Sequence, residues 1–215
     1  AIAAAGFTPV TTGDAACLAD VSGVSSAGAT LTLHDCTGDG TVAIKLNAGK
    51  LDNGVNNTTG TSQKNVLSAA STAVQVKNTA PTVSFSGPDN SPIKSTGKAT
   101  YTLAFTGAAS TSLVVGSPAT GIILAPGSDN TCQTNLTIIQ SLNGNPVSAT
   151  VEVSGCSGNG TVAIQLDAGV LDSGTGITNA ISASSATAVV DNTAPIAIAF
   201  SVNTASYSRQ DFPLS

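Results

Sequence analysis

Charge is the first thing this sequence lacks. Charged side chains make up 9% of its 215 residues, against about 25% in an ordinary globular chain. Lys and Arg together number 7, no two of them adjacent, and the formal net charge is −5. A phosphate backbone is gripped by clustered cations, so nucleic acid is excluded as a partner. Tryptophan and methionine are absent and aromatic residues are 3%. The missing Trp excludes the antibody type of β-sandwich core. No stretch reaches 18 apolar residues, which excludes a transmembrane helix. No C-x-x-C occurs and His34 is the only histidine, which argues against zinc. The opening AIAAAGF is too short, and too poor in charge, to be read as a signal peptide.

What is present is small and β-prone. Gly accounts for 22 residues, and Ala, Ser, Thr and Val fill much of the remainder. Branched residues pack well on a pleated face, while Glu, Met and Arg, which favour helices, are scarce or missing. The expected fold class is all-β.

The chain also repeats itself. CTGDGTVAIKLNAGKLDN (Cys36–Asn53) returns as CSGNGTVAIQLDAGVLDS (Cys156–Ser173), with 12 of 18 positions identical. NTAPTVSF (Asn78–Phe85) returns as NTAPIAIAF (Asn192–Phe200), and AGFTPVTTGDAAC (Ala5–Cys17) weakly matches TGIILAPGSDNTC (Thr120–Cys132). A repeat of roughly 115 residues has the length of a domain and not of a solenoid unit. Four cysteines allow three pairings. The repeat favours one bond inside each copy, Cys17–Cys36 and Cys132–Cys156, and disulfides imply an oxidising compartment.

Proline marks the boundaries. Asn-Thr-Ala-Pro cannot be a central strand, because proline lacks the N–H and biases its predecessor to extended geometry. It reads as a short, stiff junction. The expected organisation is an incomplete domain over 1–79, a complete one over 80–193, and over 194–215 either the start of a further domain or a donor-strand tail. In the complete unit the expected strands are Thr82–Phe85, Ala99–Phe105, Leu113–Val115, Ile122–Leu124, Leu136–Gln140, Ala149–Val153, Thr161–Leu166 and Thr187–Val190. Alternation places Tyr101, Leu103 and Phe105 on one face, and likewise Val162, Ile164 and Leu166, as a half-buried strand requires. Short strands at this spacing, with a disulfide, indicate a two-sheet sandwich of Ig-like type. The first unit lacks counterparts of Thr82–Phe85 and Ala99–Phe105. It is either a fragment or is completed by strand addition from another copy.

The passage CSGNGTVAIQLDAGVLDS followed by VVDNTAP resembles the bacterial Ig-like domains strung in tandem in very large secreted or surface proteins of adhesin type. The likeness covers nearly the whole chain at domain level. It implies β-sandwich beads, export to the bacterial surface, and work as a stalk or adhesive module. Its implied partners are neighbouring beads, copies of the same chain, or a ligand on a host or prey surface. It also implies calcium near the junctions, held by carboxylates that map onto Asp129, Asp172 and Asp191. The first copy departs from that pattern, with Lys77 where Asp191 stands, although Asp52 matches Asp172.

Signals for chemistry are sparse, and the expectation is that the chain is not an enzyme. His34 lies beside Asp35, but Ser154 occupies its place in the second copy. Asp167 and Asp172 could suggest the carboxylate pair of a glycosidase, yet Asn47 replaces the former in the first copy. TGDGT and SGNGT lack the Gly-Lys-Ser/Thr of a phosphate loop. NNT at Asn57–Thr59 and NLT at Asn135–Thr137 match the glycan acceptor pattern and indicate exposed positions. The functions to weigh are a structural or adhesive fibre, a self-polymerising filament subunit, and a carbohydrate-binding accessory module. The last needs an exposed aromatic platform, for which only Tyr101, in a core-like alternation, and Tyr207 are on offer.

Overall fold

The computed structural model of the chain describes residues 6–23, 25, 28–52 and 63–198. Every regular element among them is a strand. The first copy holds β1 (Phe7–Gly13), β2 (Ala16–Ser22), β3 (Thr30–Thr37), β4 (Gly40–Leu46) and β5 (Val74–Val76). The second opens with β6 (Thr82–Ser86), β7 (Lys98–Thr106), β8 (Ser110–Thr111), β9 (Ile122–Leu124) and β10 (Gln133–Leu142). It continues with β11 (Asn145–Ser154), β12 (Gly160–Val162), β13 (Ile164–Leu166), β14 (Leu171–Asp172) and β15 (Ala188–Val190).

In the second copy one layer is a four-stranded antiparallel sheet in the order β10-β11-β7-β6. The strand β7 shows why it forms. KATYTLAFT alternates so that Tyr101 and Leu103 are fully buried and Phe105 nearly so, while Thr102 and Ala104 face water, as period two dictates. Between β10 and β11 the reversal is made by Asn143 (φ 53°) and Gly144 (φ 84°). Two successive positive φ values match the right-handed twist of the flanking strands, and Asn-Gly tolerates them. The opposing layer is assembled on the run 160–166. There β12 pairs with β15 and β13 with β9, and the two-residue strands β14 and β8 pair beside them. Val162, Ile164 and Leu166 meet Tyr101, Leu103, Val151 and Val153 in a single core, so this half of the chain is a two-layer β-sandwich.

Two expected strands differ. Leu113–Val115 is not a strand: Leu113 is buried, but Val114 and Val115 are exposed and Val114 makes only an isolated bridge to Thr120. Gly116 and Pro118 follow at once, and Gly116 instead exchanges hydrogen bonds with Leu136. The expected strand Thr161–Leu166 is divided at Ala163. The Ser128 hydroxyl accepts from the Ala163 N–H at 3.0 Å, so a side chain fills that place in the ladder.

The side of this layer away from β9 is held by a device that leaves no strand signal. Asn179, Ser182 and Ser185 recur every third residue in chain that belongs to no strand. Ser182 Oγ accepts from the N–H of Leu166 (2.9 Å) and Ser185 Oγ from the N–H of Ile164 (3.0 Å). Each hydroxyl then donates to the next carbonyl of its own segment, Ala183 and Ala186. Asn179 Oδ1 accepts from Leu171 N–H at 2.7 Å, and its amide donates to the Asp167 and Ala180 carbonyls. The first copy repeats this with Asn65, Ser68 and Ser71 against Leu51, Leu46 and Ile44. Here side-chain oxygens satisfy the backbone donors that a neighbouring strand would otherwise meet.

The first copy has the same opposing layer, in the order β1-β4-β5, and a hairpin β2-β3 in place of β10-β11. Nothing among the described residues stands where β7 and β6 would lie. Its buried apolar cluster is correspondingly small: Ala15, Val42 and Val76, with Cys17, Leu33, Cys36 and Ile44 packed against it.

Candidate functional site at the junctions

Cys17 is bonded to Cys36 and Cys132 to Cys156, with no free cysteine. Each bond ties the start of a hairpin to its end, and two disulfides fit an oxidising environment. At the second cysteine the chain must turn sharply. Gly155 takes φ 69° there, and in the first copy Asp35 takes φ 48° at the equivalent place, a region L-residues other than Asn and Asp seldom enter.

Beyond the cysteine, the repeated C-x-G-[DN]-G passage meets the repeated NTAP junction. In the second copy Asn192 Nδ2 donates to the carbonyls of Cys156 (3.1 Å) and Gly158 (2.5 Å), while Asn192 N–H donates to Asn159 Oδ1 (2.6 Å). Asn192 Oδ1 in turn accepts from Ser95 N–H at 2.6 Å. In the first copy Asn78 Nδ2 donates to Cys36 O (3.3 Å) and Gly38 O (2.7 Å), and Asn78 N–H to Asp39 Oδ1 (2.5 Å). Asp39 also accepts from the Thr79 N–H and the Thr79 hydroxyl. That hydroxyl, and after it the Asn78 N–H, holds the Asp39 carboxyl below its ordinary value. The aspartate before the first cysteine completes each clamp: Asp14 Oδ1 accepts from Asp39 N–H (2.8 Å), and Asp129 Oδ2 from Gly158 N–H (3.0 Å). Thus two passages some 40 residues apart in sequence recur together because they bond to one another.

Glycine is required in this turn. A Cβ on Gly40 (φ 144°) would lie 1.9 Å from the Thr12 carbonyl oxygen, well inside contact distance.

The three aspartates expected near calcium are engaged locally. Asp129 accepts from the Thr131 hydroxyl and N–H, which lower its pKa, with the hydroxyl acting most strongly. Asp172 Oδ1 accepts from Gly174 N–H and Asp191 Oδ1 from Thr193 N–H, the usual behaviour of Asp in turns. Calcium takes six to eight oxygen ligands. No group of three or more His, Cys, Asp or Glu that could hold a metal occurs among the described residues.

The remaining candidates are placed as follows. His34 lies between two carboxylates, Nδ1 at 2.8 Å from Asp35 and Nε2 at 3.2 Å from Asp20 without hydrogen-bond alignment. The Asp35 hydrogen bond raises its pKa most. No serine hydroxyl bonds to it among the described residues. Tyr101 is wholly buried and its hydroxyl donates to Val162 O at 3.2 Å, so it offers no sugar platform. Tyr207 and the Asn57–Thr59 acceptor lie outside the described residues. Asn135 is half-buried on β10, and the Thr137 hydroxyl donates to Thr150 O. No helix among the described residues is long and apolar enough to cross a membrane.

The sequence did not reveal the Asn-x-x-Ser-x-x-Ser seam or the role of the junction asparagine. Both could have been found as positions kept at constant offset: Asn65, Ser68, Ser71 and Asn78 each recur 114 residues on. Comparison of the chain with protein-family models, curated proteins and solved structures gives no match.

Proposed function

We propose that this chain is a structural and adhesive segment of a bacterial surface fibre, built of Ig-like sandwich beads in tandem. The observation that supports this best is the paired clamp. In both copies the same asparagine ties the chain leaving a bead to the turn beside that bead's disulfide. A clamped, proline-stiffened exit fixes the direction in which the next bead begins, which is what a load-bearing spacer needs. The disulfides agree with export. Neighbouring beads are then the principal partners, and adhesion to a host or prey surface falls to exposed loops.

Pulling single molecules from the two ends tests the mechanical part. The expected record shows two separate unfolding events. Reducing Cys132–Cys156, which encloses a separation of 24 residues, lengthens the second by about 80 Å at ~3.4 Å per extended residue. Featureless extension at low force refutes a load-bearing bead. Immunogold labelling of intact source cells tests the location, and label confined to permeabilised cells rejects it.

A further inference from the structure

The segment that leaves the first copy is held from both sides. Asn78 ties it to its own copy, through the carbonyls of Cys36 and Gly38. The residue before it faces the other copy: the Thr175 hydroxyl donates to Lys77 O at 3.0 Å, across 98 positions of sequence. Adjacent residues of one short segment therefore carry a bond to each copy.

Thr175 stands at the tip of a braced turn. Asp172 pairs with Thr178 across its base, Ser173 N–H donates to Ile177 O at 2.9 Å, and Gly174 N–H donates to Asp172 Oδ1 at 2.5 Å. Ala109 N–H donates to Asp172 O at 2.8 Å, which rests the base of the turn on the chain entering β8. Ser173 is 1% exposed, and its hydroxyl lies 2.9 Å from Thr175 Oγ1. The Thr175 proton goes to Lys77 O, so Ser173 is the donor of that pair. The two hydroxyls form one directed chain that ends on the Lys77 carbonyl, and hydrogen bonds in such a chain polarise one another.

Packing alone leaves the angle at this joint open. Beside the contact lies a cavity of about 300 Å³, walled by Asp39, Gln75, Lys77 and Thr79 on one side and by Thr106 and Gly107 on the other. A close-packed interface resists tilting, but a void of that size gives way without displacing packed atoms. The direction of the second copy therefore rests on bonds to the segment itself. The hydroxyl is also particular to the second copy: two residues beyond the repeated passage, Val55 stands where Thr175 does.

We propose that the turn 172–178 is a latch. Its Thr175 hydroxyl, seated on the Lys77 carbonyl, fixes the angle between the two copies and makes them move as one body. The surface that carries it fits one partner, the exit segment of the preceding copy. The latch goes beyond the fibre reading and does not rest on it: the pulling experiment can fail while the latch stands, and the reverse.

Single-molecule energy transfer reads the angle, with dyes on Thr32→Cys and Ser141→Cys, both exposed and one in each copy. The oxidised chain gives one narrow distribution of distances. Thr175→Val keeps the shape of the side chain and removes the hydroxyl. It raises the ratio of tilted to latched molecules by about 2- to 10-fold, the worth of one net hydrogen bond. Thr175→Ser, which keeps a hydroxyl, restores the narrow distribution. Amide exchange at Leu46 and Leu171, unchanged in Thr175→Val, shows that both copies remain folded. A broad distribution in the chain with Thr175 intact overturns the proposal, and that reading needs no variant at the latch. A narrow distribution that Thr175→Val leaves as it was overturns it too.

Discussion

Replacing Asn179 by Ala tests whether the side-chain seam truly stands in for a strand. The Asn179 side chain is 4% exposed and makes three hydrogen bonds, at 2.7, 2.7 and 2.8 Å. Its truncation strands the N–H of Leu171, a residue that is 0% exposed. An unsatisfied buried donor costs ~1–3 kcal/mol. Asp167 and Ala180 are exposed, so water can reach the two carbonyls, and each lost bond there costs about 0.5–1 kcal/mol. The sum is about 2–5 kcal/mol. The first copy supplies an internal control. Asn65 makes the same three bonds, but its N–H partner is Leu51, which is 46% exposed. Asn65→Ala should therefore cost less, about 1.5–3 kcal/mol from net bond loss alone. Urea unfolding of the oxidised chain, followed by amide exchange at Leu166 and Leu46, separates the two halves. At a typical slope of ~1–3 kcal/mol per molar urea, Asn179→Ala moves the second-copy midpoint down by roughly 1–3 M. Equal shifts for the two variants, or a shift under about 0.5 M for Asn179→Ala, would refute the seam as a source of stability.

Further expectations concern the clamp, the turn and the histidine. Asp39 has a lowered pKa, so its contribution is complete above the ordinary carboxylate value of 3.8 and is lost as pH falls through the lowered one. The Thr79 amide should titrate with a midpoint below 3.8, and a midpoint at or above that value contradicts the clamp. His34 has a raised pKa. Its carboxylate contacts therefore stabilise below 6.5 and are lost as pH rises through the raised value, a step in stability that His34→Gln should abolish. Gly40→Ala forces a Cβ against the Thr12 carbonyl, while at Gly160 (φ 139°) nothing lies within 4 Å. By amide exchange, Gly40→Ala should disrupt the β1–β4 pairing, and Gly160→Ala should show only the milder effect of backbone strain.

The fold class could be read directly because its determinants are local. Alternation in TYTLAF and VAIQL reports which face is buried. Ile122–Leu124 falls where expected for the same reason. The seam escaped because period three in a polar segment matches neither the helix nor the strand template, and its partners lie 16 to 21 residues away. The division at Ala163 escaped because it depends on a serine 35 positions earlier. The turn bonds of Asp129, Asp172 and Asp191 could not be read from the sequence, because they depend on local backbone geometry. Asn192 stands in the sequence only as the first residue of a stiff Asn-Thr-Ala-Pro junction, and nothing local marks it as the residue that holds that junction.

The clamp couples two properties that are usually separate. Its acceptors belong to the turn beside the disulfide and its donors to the exit segment, so the exit segment is held only while the copy behind it remains folded. On the proposed fibre reading, stretching that opens one copy also frees its elbow, letting the downstream part swing toward the direction of pull. Under that reading damage is met by reorientation and lengthening, with the cystine setting how far any one copy can give.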